Sequence, residues 1–344
     1  MNGDVIRPVP QQRIIEKMNE YMSRRDYDGA QRHLLYWLEE AELGKDLRGQ
    51  LMLRNELIGH FRKTSQKEPA MENAQKAIEL ITELGMEETI SAGTTYVNAA
   101  TAYNAFGEYD RSMEMFRRAR AVYESSPHTE PQLVGGLYNN MALTCTALGR
   151  YEDALGLYER ALSVMADVPD GELEQAITYL NMADTVEAQL GMEAGESRIC
   201  ELAERAEDLL EAKYRELAEY AEQSAHSSGA EASGDSGLAH SGSGTEHDNS
   251  GLAGSDSGTE HGDSGLASSG SGTEYSDSGT EHDDGGLAHS GGRAAAASLS
   301  RETRARLGYY AFVCEKCAPV FAYYGYFIAA ERLKERADRL AGML

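Results

Sequence analysis

Cys314 and Cys317 frame a Cys-Glu-Lys-Cys run. On a helix, residues three apart share a face, so the two thiols could offer a pair of zinc ligands or a redox couple. A structural zinc site needs four ligands, and the other cysteines, Cys145 and Cys200, stand alone in the sequence. A thioredoxin-like couple needs a βαβ setting, which is absent. The plain alternative makes both thiols small buried packing residues on a helix that Pro319 should kink. Six of the nine histidines lie between residues 223 and 292, and His33, His60 and His128 form no triad with a nucleophile. No glycine-rich phosphate loop, HExxH or GxSxG motif occurs. The expectation is a protein that is not an enzyme and carries no cofactor and no metal. An enzyme or metal site at the Cys314–Cys317 pair is the distant alternative.

The other recurring chemical group is an amide. Asn55, Asn98, Asn140 and Asn181 follow one another at steps of 43, 42 and 41 residues. A helix interior slightly disfavours Asn, so four at one register suggest a role. A carboxamide offers donor and acceptor together and can bond an extended peptide backbone without reading its sequence. The other reading has these amides bond each other or a neighbouring helix and set the stacking. Arg54, Thr101, Asn104, Asn139 and Asp184 should face the same groove.

What must position these residues is a repeat. Gly107, Gly149 and Gly191 lie 42 apart. Tyr109 and Tyr151 follow two residues later, Phe116, Tyr158 and Cys200 nine later, and Ala119, Ala161 and Ala203 twelve later, with Ala77 one step upstream. Between each Asn and its Gly runs a segment of small residues, such as NAATAYNAFG and NMALTCTALG. Glycine is the cheapest residue for the left-handed position that ends a helix. The aromatic after it opens a second helix, the alanines let helices approach, and the large ring fills the gap between them. One such hairpin buries too little alone and must stack on neighbours. Pro127, Pro131 and Pro169 fall between units, where loops belong.

GRYEDALGLYERAL, from Gly149 to Leu162, and GEYDRSMEMFRRAR, from Gly107 to Arg120, resemble the second half of the tetratricopeptide-repeat (TPR) signature. The usual unit is about 34 residues, so these hairpins should be about two turns longer. That long form resembles the repeats of kinesin light chains and of bacterial peptide-sensing TPR proteins, and most of all stand-alone bacterial TPR proteins. The resemblance implies an all-α, TPR-like α-solenoid, a right-handed superhelix of antiparallel helix pairs whose first helices line the concave side. It also implies that the Asn ladder contacts peptide backbone. The Lys-rich carboxylate clamp of chaperone-binding relatives is not visible.

Five hairpins are expected from about residue 11 to 222, the first two degenerate. Residues 223 to 299 differ. SGLAHSGSGTEHDN, SGLAGSDSGTEHGD and SGLASSGSGTEYSD begin at Ser236, Ser250 and Ser264, a 14-residue tandem repeat. So rich in Gly, Ser and acid, this insertion is expected to be disordered. A sixth hairpin over 300 to 344, aromatic on one face, is expected to dock on the solenoid, with Phe327, Ala330 and Ala337 in register after Gly325.

The chain of 344 residues carries a net charge of −25. Residues 223 to 292 hold twelve acids and no base, so the remainder still has 45 acids against 32 bases. Nucleic-acid binding needs clustered Lys and Arg and is not expected. No apolar run approaches the roughly 20 residues of a membrane span, and the first residues lack a signal core. The reading is a cytoplasmic scaffold that binds a protein or peptide partner in the concave groove. The alternative is a peptide-responsive regulatory sensor without its own DNA-binding domain.

Overall fold

The computed structural model describes residues 6–231 and 301–341. All regular structure among them is helical: α1 (Gln11–Ser23), α2 (Tyr27–Leu43), α3 (Leu47–Lys63), α4 (Lys67–Glu83), α5 (Ile90–Ala105), α6 (Tyr109–Ser125), α7 (Pro131–Ala147), α8 (Tyr151–Met165), α9 (Gly171–Leu190), α10 (Met192–Glu231), α11 (Arg301–Tyr323) and α12 (Phe327–Ala341). The chain divides into two units, Met1–Ile199 and Cys200–Leu344.

In the first unit each helix packs on the next, and α3, α5, α7 and α9 also touch one another in succession. This is an α-solenoid of helix pairs. Its tight turns share one hydrogen-bond pattern, in which the N–H three residues past the end of the helix returns to a carbonyl five residues back: Asp26 to Tyr21, Asp46 to Ala41, Gln66 to Phe61, Met86 to Ile81, Glu108 to Tyr103 and Arg150 to Cys145. The residue before each donor is left-handed. Gly85, Gly107 and Gly149 serve in three turns, but Arg25 (φ 55°), Lys45 (54°) and Ser65 (56°) serve in the first three. A side chain costs about 1–2 kcal/mol there, less the entropy a glycine adds to the unfolded chain. Arg25→Gly is therefore expected to stabilise by about 0.5–1 kcal/mol, and Gly149→Ala to destabilise by about 1 kcal/mol, in urea unfolding.

The motif residues sit where the repeat needs them. Ala77, Ala119, Ala161 and Ala203 are buried, as are Phe116 and Tyr158. Two close approaches repeat at the same 42-residue step: a Cβ on Gly93 would lie 2.3 Å from the Tyr123 ring, and one on Gly135 would lie 2.7 Å from Met165 Sδ. These glycines let α5 press against the ring on α6, and α7 against α8.

Three details differ from the expectations. Pro131 is the first residue of α7 rather than a loop residue, at a position whose N–H needs no helical partner. Gly191 ends α9 at φ 79°, ψ 163°, outside the left-handed helical region. Helix α10 continues to Glu231, past residue 222; the rest of the acidic tandem-repeat segment lies outside the described residues.

In the second unit, α11 and α12 form a hairpin on α10. Pro319 lies within α11, which runs unbroken from Arg301 to Tyr323. Tyr310 and Phe321 are fully buried, so this is the covered side of the aromatic face, whereas Tyr323 is 62% exposed. The Tyr310 hydroxyl donates to the Leu210 carbonyl at 3.2 Å and accepts from Arg336 at 3.2 Å.

Candidate functional site

Helices α3, α5, α7 and α9 bring the asparagine register together. The Asn98 amide donates to Asn55 Oδ1 at 3.0 Å, and the Asn55 amide donates to Thr95 Oγ1 at 3.0 Å and to the Leu51 carbonyl at 3.1 Å. Thr144 Oγ1 donates to Asn104 Oδ1 at 3.1 Å. Thr146 and Thr185 share a hydrogen bond of 2.8 Å, and the Asn181 amide donates to Asn139 Oδ1 at 3.2 Å. A polar ladder thus crosses all four helices, and part of the amide capacity is spent within the fold.

The nine residues singled out by sequence fall into two environments. Arg54, Asn139, Asn140 and Asn181 are buried. Arg54 donates to Glu42 at 2.6 Å and to Asn73 at 3.1 Å, and burial holds its pKa below the usual arginine value. Asn181 has no exposed surface, and its Oδ1, like Asn139 Nδ2, finds no partner. Asn55, Asn98, Thr101, Asn104 and Asp184 are half-buried. Thr101 Oγ1 donates to the Asn98 carbonyl at 2.9 Å. Asn140 keeps 8% of its surface, and among the described residues its amide has no hydrogen-bond partner. Asn98 Oδ1 and Asn104 Nδ2 are likewise not engaged by any described group.

Around these amides the surface is small and uncharged. Gly136, Leu143 and Ala147 on α7, and Thr94 and Ala105 on α5, retain exposure on the same register. Neither α5 nor α7 contains a charged residue. Such a surface can present amide donors and acceptors to an extended backbone, with Leu143 available for an apolar contact.

The threonines of the ladder did not stand out in the sequence, although Thr144 and Thr185 each lie four residues after their Asn, a signal that was there to be found.

The cysteine pair has a different setting. Cys314 and Cys317 are both fully buried, and burial pushes the Cys314 thiol up to about 11. A thiol so placed is a poor nucleophile at neutral pH. No group of three or more potential metal ligands occurs among the described residues.

Residues 93–126 and 133–193 match tetratricopeptide-repeat family models. Tetratricopeptide repeats therefore occupy these two spans. The two matched spans cover most of α5 and α7, which carry the unbonded amides, and all of α6, α8 and α9. The chain is also similar to solved structures. BtubC (BKLC) from P. vanneervenii is 16% identical, with 70% of this chain and 87% of that one covered at a TM-score of 0.49. A putative kinesin light chain with nearly identical TPR-like repeats from Podosopora anserina is 16% identical, with 61% and 97% covered at a TM-score of 0.48. Among curated proteins none is a significant match. TPR repeats are generally protein-interaction scaffolds and typically non-enzymatic. Among the described residues no helix is long and apolar enough to cross a membrane.

Proposed function

We propose that this TPR protein is a non-catalytic scaffold that holds an extended segment of a protein or peptide partner along the asparagine face of α3, α5, α7 and α9. It would act in the cytoplasm, a setting compatible with its four free cysteines. The observation that carries the reading is the set of open amide groups at Asn98, Asn104 and Asn140 on two uncharged helices. Asn55, Asn98, Thr101, Asn104, Asn140 and Asp184 form the contact row. Arg54, Asn139 and Asn181 support it from beneath by cross-bracing the helices.

The test is a partner isolated by pull-down and identified by mass spectrometry, then titrated against Asn98→Ala/Asn140→Ala. Two hydrogen bonds of about 1 kcal/mol each predict a Kd weakened by roughly 10- to 30-fold with an unchanged circular dichroism spectrum. Equal affinity for the double variant sinks the proposed site.

A further inference from the structure

We infer that the segment held on this face is dipolar: an extended stretch of about nine residues, acidic where it crosses α3 and basic where it crosses α9. The inference rests on the binding face proposed above and concerns its charge.

The four helices that build the face are not electrostatically alike. On α3, Arg48 and Arg62 lie seven residues either side of Asn55; Arg48 is exposed and Arg62 half-buried. Glu56 and Lys63 also belong to α3 and offset each other. Next come α5 and α7, with no charge at all. Then α9 contains Glu172, Glu174, Asp184 and Glu187 and no base. Glu174, seven residues before Asn181, is the register equivalent of Arg48, and Asp184, three residues after it, is the equivalent of Thr101. Both are half-buried and so still in contact with solvent.

The polarity is not the general acidity of the chain, because the α3 end is basic within a protein of net charge −25. Nor do the second helices of the hairpins share it. On α6 the acids and bases are intermixed, with Arg118 paired to Glu114 and Arg120 to Glu124.

Geometry sets the length of the complementary partner. Three helix-to-helix steps of roughly 8–10 Å separate α3 from α9, about 25–30 Å in all. An extended chain rising about 3.3 Å per residue spans this in eight or nine residues. The uncharged centre would carry the backbone contacts and the two ends would fix the direction of docking. A reversed segment would place like charges together at both ends. Partly exposed pairs add little affinity each, but they steer encounter and discriminate between orientations.

The test begins with random peptides of roughly a dozen residues, long enough to span the face, displayed and selected at low salt on the intact protein. A selected peptide and its twin with acidic and basic ends exchanged are then compared by fluorescence anisotropy. The expected result is selected sequences with Asp or Glu at one end and Lys or Arg at the other, always in one chain order. The exchanged twin should bind about tenfold more weakly, and the difference should collapse at high salt. Glu174→Arg/Asp184→Arg should erase the preference for the selected twin. Peptides that lose binding to Asn98→Ala/Asn140→Ala yet show no charge order overturn the dipolar partner and leave the binding face standing. Retention of no peptide, or of peptides indifferent to the asparagine substitutions, overturns both.

Discussion

Tyr158→Ala is expected to cost about 3–5 kcal/mol, one of the two largest effects of any single substitution considered for this protein. Tyr158 stands nine residues after Gly149, inside the second helix of the best-formed repeat, with no exposed surface. Truncating a large buried ring removes its transfer free energy and leaves a void that neighbouring helices fill only in part. Here relaxation is further limited, because Ala154 and Ala161 on the same helix are also buried and offer no longer side chain to move into the space. Phe116→Ala, one repeat earlier and equally buried, should behave alike. For a unit of this size about 3–5 kcal/mol corresponds to a fall in Tm of roughly 10 °C or more. In a stacked array stability is a sum of unit and interface contributions, so the loss can split one transition into two. Differential scanning calorimetry of wild type and both variants checks this. Phe327→Ala is the internal control: Phe327 is 67% exposed, and its removal should change stability by less than about 0.5 kcal/mol. A Tyr158→Ala melt within a degree or two of wild type would mean that the ring at this position does not fill the inter-helix gap.

The same residue shows what the sequence could and could not reveal. Gly149, Tyr151, Ala154, Tyr158 and Ala161 share one physical job, to turn the chain and interlock two helices, and that job demands particular residue types at fixed steps. Their register is therefore readable from a single chain. The first three turns do the same job with Arg25, Lys45 and Ser65, at 20-residue steps leading to Gly85. No residue type is shared there, because backbone hydrogen bonds rather than side chains define the turn, so a search for glycine leaves these units looking degenerate. Gly93 with Tyr123 and Gly135 with Met165 form a second repeated contact that spacing alone would have exposed.

The candidate site was legible in its helices and not in its wiring. The register of the asparagines put one on each of α3, α5, α7 and α9, and the structure joins Asn55 to Asn98 there but buries Asn140 and Asn181. Which amide meets which depends on the offset between helices: Asn98 reaches Asn55 of the same register, whereas Asn181 reaches Asn139, one residue off register. That offset comes with the shorter step, 41 residues from Asn140 to Asn181 against 43 from Asn55 to Asn98. It pairs Asn139 with Asn181 in the interior and leaves the Asn140 amide, itself buried, without a partner among the described residues. A pattern that names positions cannot distinguish a brace from a contact; burial and unspent donors can.

In the second unit, Arg336→Ala is expected to cost about 2–4 kcal/mol. Arg336 is 9% exposed. Its guanidinium lies 3.9 Å from the Tyr214 ring centroid and donates to Glu211 at 2.9 Å and to the Tyr310 hydroxyl at 3.2 Å. One side chain on α12 thereby ties α10 and α11 together. Breaking a buried pair from one side is costly mainly because the other charge stays behind. Glu211 would keep Arg332, whose Nε lies 3.1 Å away, which places the effect below the upper end of the usual range. Glu211→Gln with Arg336→Met removes both charges while keeping volume, and should recover at least half of the loss. The pH dependence has a definite sign. Burial alone would raise the Glu211 pKa, but the hydrogen bond and charge of Arg336, with Arg332 and Arg215, outweigh it and hold the carboxyl below its ordinary value. A carboxyl with a lowered folded-state pKa contributes stability that is present above its unfolded pKa, about 4.3, and is lost as pH falls through the folded value. Wild type should therefore weaken in acid more steeply than Arg336→Ala. Hydrogen exchange of the α11–α12 hairpin at neutral pH and in acid reads both effects. Equal protection of the hairpin in wild type and Arg336→Ala at neutral pH would show that Arg336 does not hold these three helices together.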